Sequence, residues 1–208
     1  MKTVILPSVM AQNQQEMNEL LGKFKSVSTQ IHLDVADGKF VPTKVLQFNL
    51  QLLKGFTYSA HLMMEKPMPF IKEYWDKIDL FIPQIEVFSN PQVYIDFMRE
   101  QGKKVAFALK PETSVERVKK YIAQVDHVLI LTVHPGYYGA KFLPGKLRKI
   151  TQVKKINRRV KVIVDGHMNP QTIPLARGAG ADMFVAGSYL MKGKSITENM
   201  KILKKCLK

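Results

Sequence analysis

His32 and Asp34 lie two residues apart in IHLDVADG, so in a strand both side chains leave on one side, opposite Ile31, Leu33 and Val35. The same alternation groups His61 with Ser59 and Met63 in TYSAHLMM, and Asp165 with Ile163 and His167 in KVIVDGH. An ionised carboxylate carried unpaired into a protein interior is costly, so Asp34 and Asp165 require a cation, a proton or strong donors. Each histidine taken alone reads most simply as a hydrogen-bonded core residue. Together, two imidazoles and two carboxylates form a mixed nitrogen and oxygen set. It suits one divalent ion, zinc, iron(II), cobalt or manganese, and suits calcium poorly. Two aspartates on different strands also suit acid and base work on opposite faces of one carbon, one removing a proton while the other supplies one. That is the chemistry of an epimerisation beside a carbonyl, where positive charge must stabilise the enediolate oxygens.

Such a constellation needs strands that converge. Eight apolar β-type runs recur along the chain: TVILPSVMA, QIHLDVAD, TYSAHLMM, DLFIPQIEV, KVAFALKP, HVLILTV, KVIVDGH and ADMFVAGSY. Amphipathic helical patterns separate most of them: NQQEMNELLGKFK, PFIKEYWDK, NPQVYIDFMREQG, TSVERVKKYIAQ, LRKITQVKKIN and SITENMKILKKCLK, several opening on a residue that can cap the first turn. Strands apolar throughout and alternating with helices predict a parallel sheet covered by helices, and eight such units predict a closed (β/α)8 TIM barrel. A dinucleotide-binding open sheet would carry GxGxxG after its first strand, where this chain reads LPSVMAQN without a glycine. In a barrel, residues near the carboxyl ends of strands open into the active-site mouth.

The 208 residues suit one domain, 1–208, with a sizeable core. The single cysteine, Cys206, leaves no disulfide framework and no CxxC pair, which fits a reducing, cytoplasmic setting. The opening MKTVILPSVMAQ has too short an apolar run for a signal peptide and leads into a polar helical pattern, and no apolar segment has the length of a membrane span. The net charge of +15 is spread through helical patterns such as KLRKITQVKKINRR and is not interleaved with aromatics on a strand. It reads as solvated helix faces in preference to a nucleic-acid site, and its field favours a small anionic substrate.

Seven segments resemble the ribulose-phosphate 3-epimerase family, in order and one near each expected strand end: ILPSVMA, HLDVADGKFVP, HLMMEKP, FALKPETSVE, TVHPGYYGAKF, VDGHMNPQTI and AGADMFVAGS. The resemblance implies a barrel that interconverts D-ribulose 5-phosphate and D-xylulose 5-phosphate, with one divalent metal ion in the mouth. By motif position it implies His32, Asp34, His61 and Asp165 as metal ligands, and Asp34 and Asp165 as the catalytic acid and base. Ser8 and His61 would contact substrate, and Met63 would line the site. The phosphate cradle would be built from Gly136, Tyr137, Tyr138, Gly139, Gly166, His167, Met168, Gly187 and Ser188, where glycine lets backbone N–H groups approach an anion. Each of these glycines alone reads as a turn. Family members are often homo-oligomers, which is the expectation for this chain.

The chain departs from the family's usual pattern at positions that surround substrate. Tyr138 and His167 replace glycines, Ala140 a glutamine, Ala36 and Leu131 methionines, and Ser59 an aspartate, while Tyr189 stands where a small residue is usual. None removes a metal ligand or a catalytic aspartate. His167 is expected to restrict backbone angles that glycine permits, and Tyr138 and Tyr189 to add bulk at the phosphate end. The alternatives that stay open are 3-epimerisation of a ketohexose 6-phosphate such as allulose 6-phosphate, and a non-catalytic barrel that binds a sugar phosphate or nucleic acid. Decarboxylases and synthases on related barrels carry Asp-x-Lys on a strand, and here Ala36 takes the lysine's place.

Overall fold

The computed structural model describes residues 3–136, 140–193 and 195–207. The apolar runs form parallel strands β1 (Val4–Val9), β2 (Gln30–Asp37), β4 (Thr57–Met63), β5 (Leu80–Pro83), β6 (Ala106–Leu109), β7 (His127–Leu131), β8 (Lys161–Asp165) and β9 (Met183–Ala186). Their order in the sheet is β5-β4-β2-β1-β9-β8-β7-β6, and a parallel bridge between Gln84 and Ala108 brings the two ends together. The expected barrel is therefore what forms. One strand was not expected: β3 (Lys44–Val45) pairs antiparallel with the end of β2, Ala36 opposite Val45 and Asp37 opposite Lys44. It folds the excursion after β2 back over the mouth.

Period-two alternation divides the core into two layers. Ile31, Leu33 and Val35 face outward and pack with Met17, Leu21 and Phe24 of α1 (Gln14–Phe24). Leu6, Ile82, Ala106, Ala108, Leu129 and Ile163 face inward and fill the barrel. α1 is capped by Asn13, which accepts from Glu16 N at 2.9 Å, while Glu16 Oε2 accepts from Gln12 N at 2.7 Å, and the two bonds fix where the helix begins. The other outer helices are α2 (Pro67–Tyr74), α3 (Gln92–Glu100), α4 (Glu116–Lys119), α5 (Arg148–Ile156), α6 (Thr172–Gly178) and α7 (Ile196–Lys205). No helix among the described residues is long and apolar enough to cross a membrane.

Three elements differ from the pattern-based expectation. The helix expected over TSVERVKKYIAQ is regular only in α4. Around it, Arg117, Tyr121, Ile122 and Gln124 donate three residues back, to Ser114, Val118, Lys119 and Tyr121, so the segment winds tighter than an α-helix. DLFIPQIEV stops being a strand at Pro83 and turns into a 3-10 helix at Ile85–Val87, since proline offers no N–H to a ladder. α6 contains Pro174, which hides it from a helical reading, yet the proline falls in the first turn, where its missing N–H leaves no intrahelical bond unmade.

Candidate active site

Strand register brings the four candidate ligands to one level. Asp34 lies opposite His61 across β2 and β4, His32 lies opposite both Ser8 and Ser59, and Asp165 ends β8 beside Val185. His32 and His61 are fully buried, and Asp34 is 6% exposed. Their polar atoms converge: His32 Nε2 is 3.5 Å from Asp34 Oδ1, His61 Nδ1 is 3.5 Å from the same oxygen, and His61 Nδ1 is 3.4 Å from Asp165 Oδ2. One atom from each of the four residues lies within 4.8 Å of all the others, a group that could hold a metal ion.

The fit to an ion rests on atoms that lack anything else to bind. His32 Nε2, Asp34 Oδ1 and His61 Nδ1 are buried with no hydrogen-bond partner, which is costly unless a cation meets them. A four-coordinate ion with bonds of ~2.1 Å spaces its ligands ~3.4 Å apart, close to the separations observed. The charges point the same way. Burial pulls the His61 imidazole down, but the Asp165 and Asp34 carboxylates outweigh it and raise its pKa to about 9, so the site attracts positive charge strongly. Burial dominates at His32 and lowers its pKa. At Asp34 burial works upward, yet the two imidazoles and Ser8 outweigh it and hold the carboxyl below its usual range.

Above this group opens a cavity of about 160 Å³ lined by Ser8, Asp34, Gly136, Asp165, Gly166, His167, Met168, Gly187 and Ser188, all of them expected at the site. Met10, Met63, Leu131 and Val185 make its walls apolar. Tyr137, Tyr138 and Gly139 lie outside the described residues. The late glycines have packing reasons of their own. A Cβ on Gly166, whose φ is +116°, would stand 2.8 Å from Val133 Cγ2, and one on Gly187 would press into the Ser8 hydroxyl. Backbone is thus held against the cavity where no side chain fits.

Three expectations are corrected. His167 does not continue the inward face of Asp165, because the strand ends there and Gly166 and His167 both take positive φ, leaving the imidazole exposed. It also adopts the angles that it was expected to restrict, with φ at 58°. Tyr189 does not line the cavity. Partly buried, it packs against the core between strands and helices.

Other contributors carried little sequence signal. Thr43, from the excursion after β2, donates its hydroxyl to the Gly136 carbonyl and, with Val41, closes one wall. Asp37 shapes that excursion by accepting from Lys39 N at 2.8 Å, Phe40 N at 2.9 Å and Glu65 N at 2.9 Å. Gln84, fully buried at the barrel seam, sets its amide 2.8 Å from His61 Nε2. Alternation with Ile82 puts it on the inward face, but its place beside His61 depends on the seam bridge to Ala108, which is invisible before folding.

A profile described as the ribulose-phosphate 3 epimerase family matches residues 4–191. A protein named ribulose-phosphate 3-epimerase from Chlamydia muridarum is 29% identical over 96% of this chain and 93% of its own length. Another of that name from Bacillus subtilis is 31% identical over 88% of this chain and 90% of its own. Among solved structures, a 3-keto-L-gulonate-6-phosphate decarboxylase from Vibrio cholerae superposes with a TM-score of 0.67 over 99% of this chain and 97% of its own, at 9% identity. That likeness speaks for the barrel alone.

Proposed function

We propose, for a chain that belongs to the ribulose-phosphate 3-epimerase family and is on that ground an isomerase, that it inverts C3 of D-ribulose 5-phosphate to give D-xylulose 5-phosphate. The observation that carries the reading is one cavity floored by two carboxylates from different strands, Asp34 and Asp165, above two buried imidazoles. His32, Asp34, His61 and Asp165 would hold one divalent ion, zinc, iron(II), cobalt or manganese. When bound, it would supply positive charge where the enediolate oxygens develop.

Proton transfer belongs to the carboxylates. One takes the proton from C3 and the other returns a proton to the opposite face, and the roles exchange with the direction of reaction. Ser8 would orient the substrate from the end of β1, and the apolar walls would exclude water from the enediolate. Backbone N–H groups at Gly136, Gly166 to Met168, Gly187 and Ser188, with Tyr137, Tyr138 and Gly139, would receive the phosphate. His167, standing at the cradle in place of a glycine, favours a second reading: 3-epimerisation of a ketohexose 6-phosphate such as allulose 6-phosphate.

Exchange in heavy water tests both. Metal-reconstituted protein should place deuterium at C3 of ribulose 5-phosphate faster than at C3 of allulose 6-phosphate, followed by proton NMR. Asp34→Asn and Asp165→Asn should each lower that exchange by about 10²–10⁴-fold with the fold retained. Faster exchange with the hexose would favour the second reading. Absence of exchange with either would leave a binding barrel.

A further inference from the structure

Each buried imidazole has two nitrogens, and only one of each pair faces the carboxylates. The outward nitrogens are not left free: His32 Nδ1 meets Ser59 Oγ at 2.9 Å, and His61 Nε2 meets the Gln84 side-chain amide at 2.8 Å. We propose that Ser59 and Gln84 are positioning residues that fix the tautomer of the two histidines, so that His32 Nε2 and His61 Nδ1 present lone pairs to the ion. The inference rests on the metal reading given above.

At His32 the direction follows from a count of protons. A hydroxyl has one to give, and Ser59 Oγ also lies 3.4 Å from the Ile31 carbonyl, which can only accept. With the hydroxyl proton turned to that carbonyl, Ser59 offers a lone pair to His32 Nδ1, which must then carry the ring proton. The lone pair of the neutral ring is left on Nε2, the atom that lies buried without a partner 3.5 Å from Asp34.

At His61 the ion's need for a lone pair on Nδ1, the nitrogen that faces Asp34 and Asp165, assigns the amide's orientation. Gln84 turns its Nε2 toward the ring and leaves its Oε1 buried with no hydrogen bond. A half-turn of the amide exchanges two groups of nearly the same size and puts Oε1 on His61 Nε2. His61 Nε2 then carries a proton that Gln84 Oε1 accepts, the amide NH2 takes the place without a partner, and the ring's lone pair moves to Nδ1 between Asp34 and Asp165. Gln84 is held for this task by position. It shares the inward face of Ile82, follows Pro83 at the end of β5, and is fixed by its bridge to Ala108. Outer partners of this kind orient a ligating ring and set how strongly it binds.

Zinc serves as the probe, titrated against a chromophoric chelator, with circular dichroism and urea unfolding as checks on the fold. Gln84→Leu should weaken zinc binding by about 10–100-fold, whereas Gln84→Glu, which keeps an acceptor, should bind at least as tightly as wild type. In zinc-loaded wild type, ring ¹⁵N shifts should place the metal on His32 Nε2 and His61 Nδ1, a readout that needs no variant to fold. Zinc binding by Gln84→Leu within about twofold of wild type, or equal losses in the Leu and Glu variants, would overturn the assignment. So would metal found on His61 Nε2. Those outcomes leave the metal reading standing, while a wild-type protein that binds no zinc takes both away.

Discussion

His167 holds φ at 58°, a left-handed conformation that costs an L-residue about 1–2 kcal/mol. The surroundings over-determine it. Its carbonyl accepts from Thr172 Oγ1 at 2.7 Å and Asn169 Nδ2 at 3.1 Å, and Asn169 Oδ1 in turn accepts from Gln171 N at 2.8 Å and Thr172 N at 3.1 Å. The turn between β8 and α6 is therefore pinned whichever residue stands at 167. His167→Gly should relieve the strain, less the ~0.5–1 kcal/mol that glycine's extra freedom costs on folding, for a net gain of ~0.5–1 kcal/mol. A rise in the urea midpoint at unchanged slope would show it, and a fall would mean that the imidazole makes contacts worth more than the strain. The left-handed turn itself was not legible beforehand, because alternation gives the face of a strand residue but not the place where the strand stops.

Strands β5, β7 and β9 each follow an aspartate, Asp79, Asp126 and Asp182, and the three do the same thing. Each donates its N–H, at 2.9 Å, to the carbonyl of a residue at the start of the preceding barrel strand, Tyr58, Val105 or Val162, and accepts that residue's N–H on its carboxylate at 2.8 Å. These brackets tie neighbouring strands at the rim opposite the mouth. Asp182 is the most strongly held, with Lys154 Nζ at 2.5 Å and Lys161 Nζ at 3.3 Å. Burial works to raise its pKa, but the Lys154 and Lys161 ammonium groups and Val162 N–H outweigh it and depress it. A carboxyl depressed in the folded state stabilises above its unfolded pKa of about 3.9, and that contribution fades as pH falls through the lower folded value. Asp182→Asn should thus cost ~1–3 kcal/mol at pH 5–7, with the gap to wild type closing below about pH 4, measured by urea unfolding across that range. A gap that persists at pH 2 would assign the effect to packing. At this scale the sequence was largely readable: apolar runs such as HVLILTV and KVIVDGH read as strands, and the shared face of His32 and Asp34 followed from alternation. What escaped depended on contacts between distant elements. Gln84 neither titrates nor forms a local motif, so only closure of the seam reveals its use, and Pro174 disguised α6 by resembling a helix breaker.

Across the molecule, the four candidate ligands sit on three strands, the neighbours β2 and β4 and, beyond β1 and β9 in the sheet order, β8. An ion held by His32 and Asp34 of β2, His61 of β4 and Asp165 of β8 would therefore span the barrel from one wall to another, a connection that no hydrogen-bond ladder makes. The mouth gathers two carboxylates and two imidazoles, three of whose buried atoms make no hydrogen bond, an arrangement that costs free energy unless a cation meets them. Binding to the folded state alone stabilises by mass action, ~2.7 kcal/mol when free metal is 100 times its Kd. For a chain of 208 residues that corresponds to a rise of roughly 5–10 °C in Tm. The rise should grow with the logarithm of metal concentration, disappear on adding a chelator, and be nearly absent in His61→Ala, since three ligands hold an ion far more weakly than four. Scanning calorimetry against metal concentration checks this directly. An equal shift in wild type and His61→Ala would place the stabilising ion elsewhere and detach the stability of the barrel from its mouth.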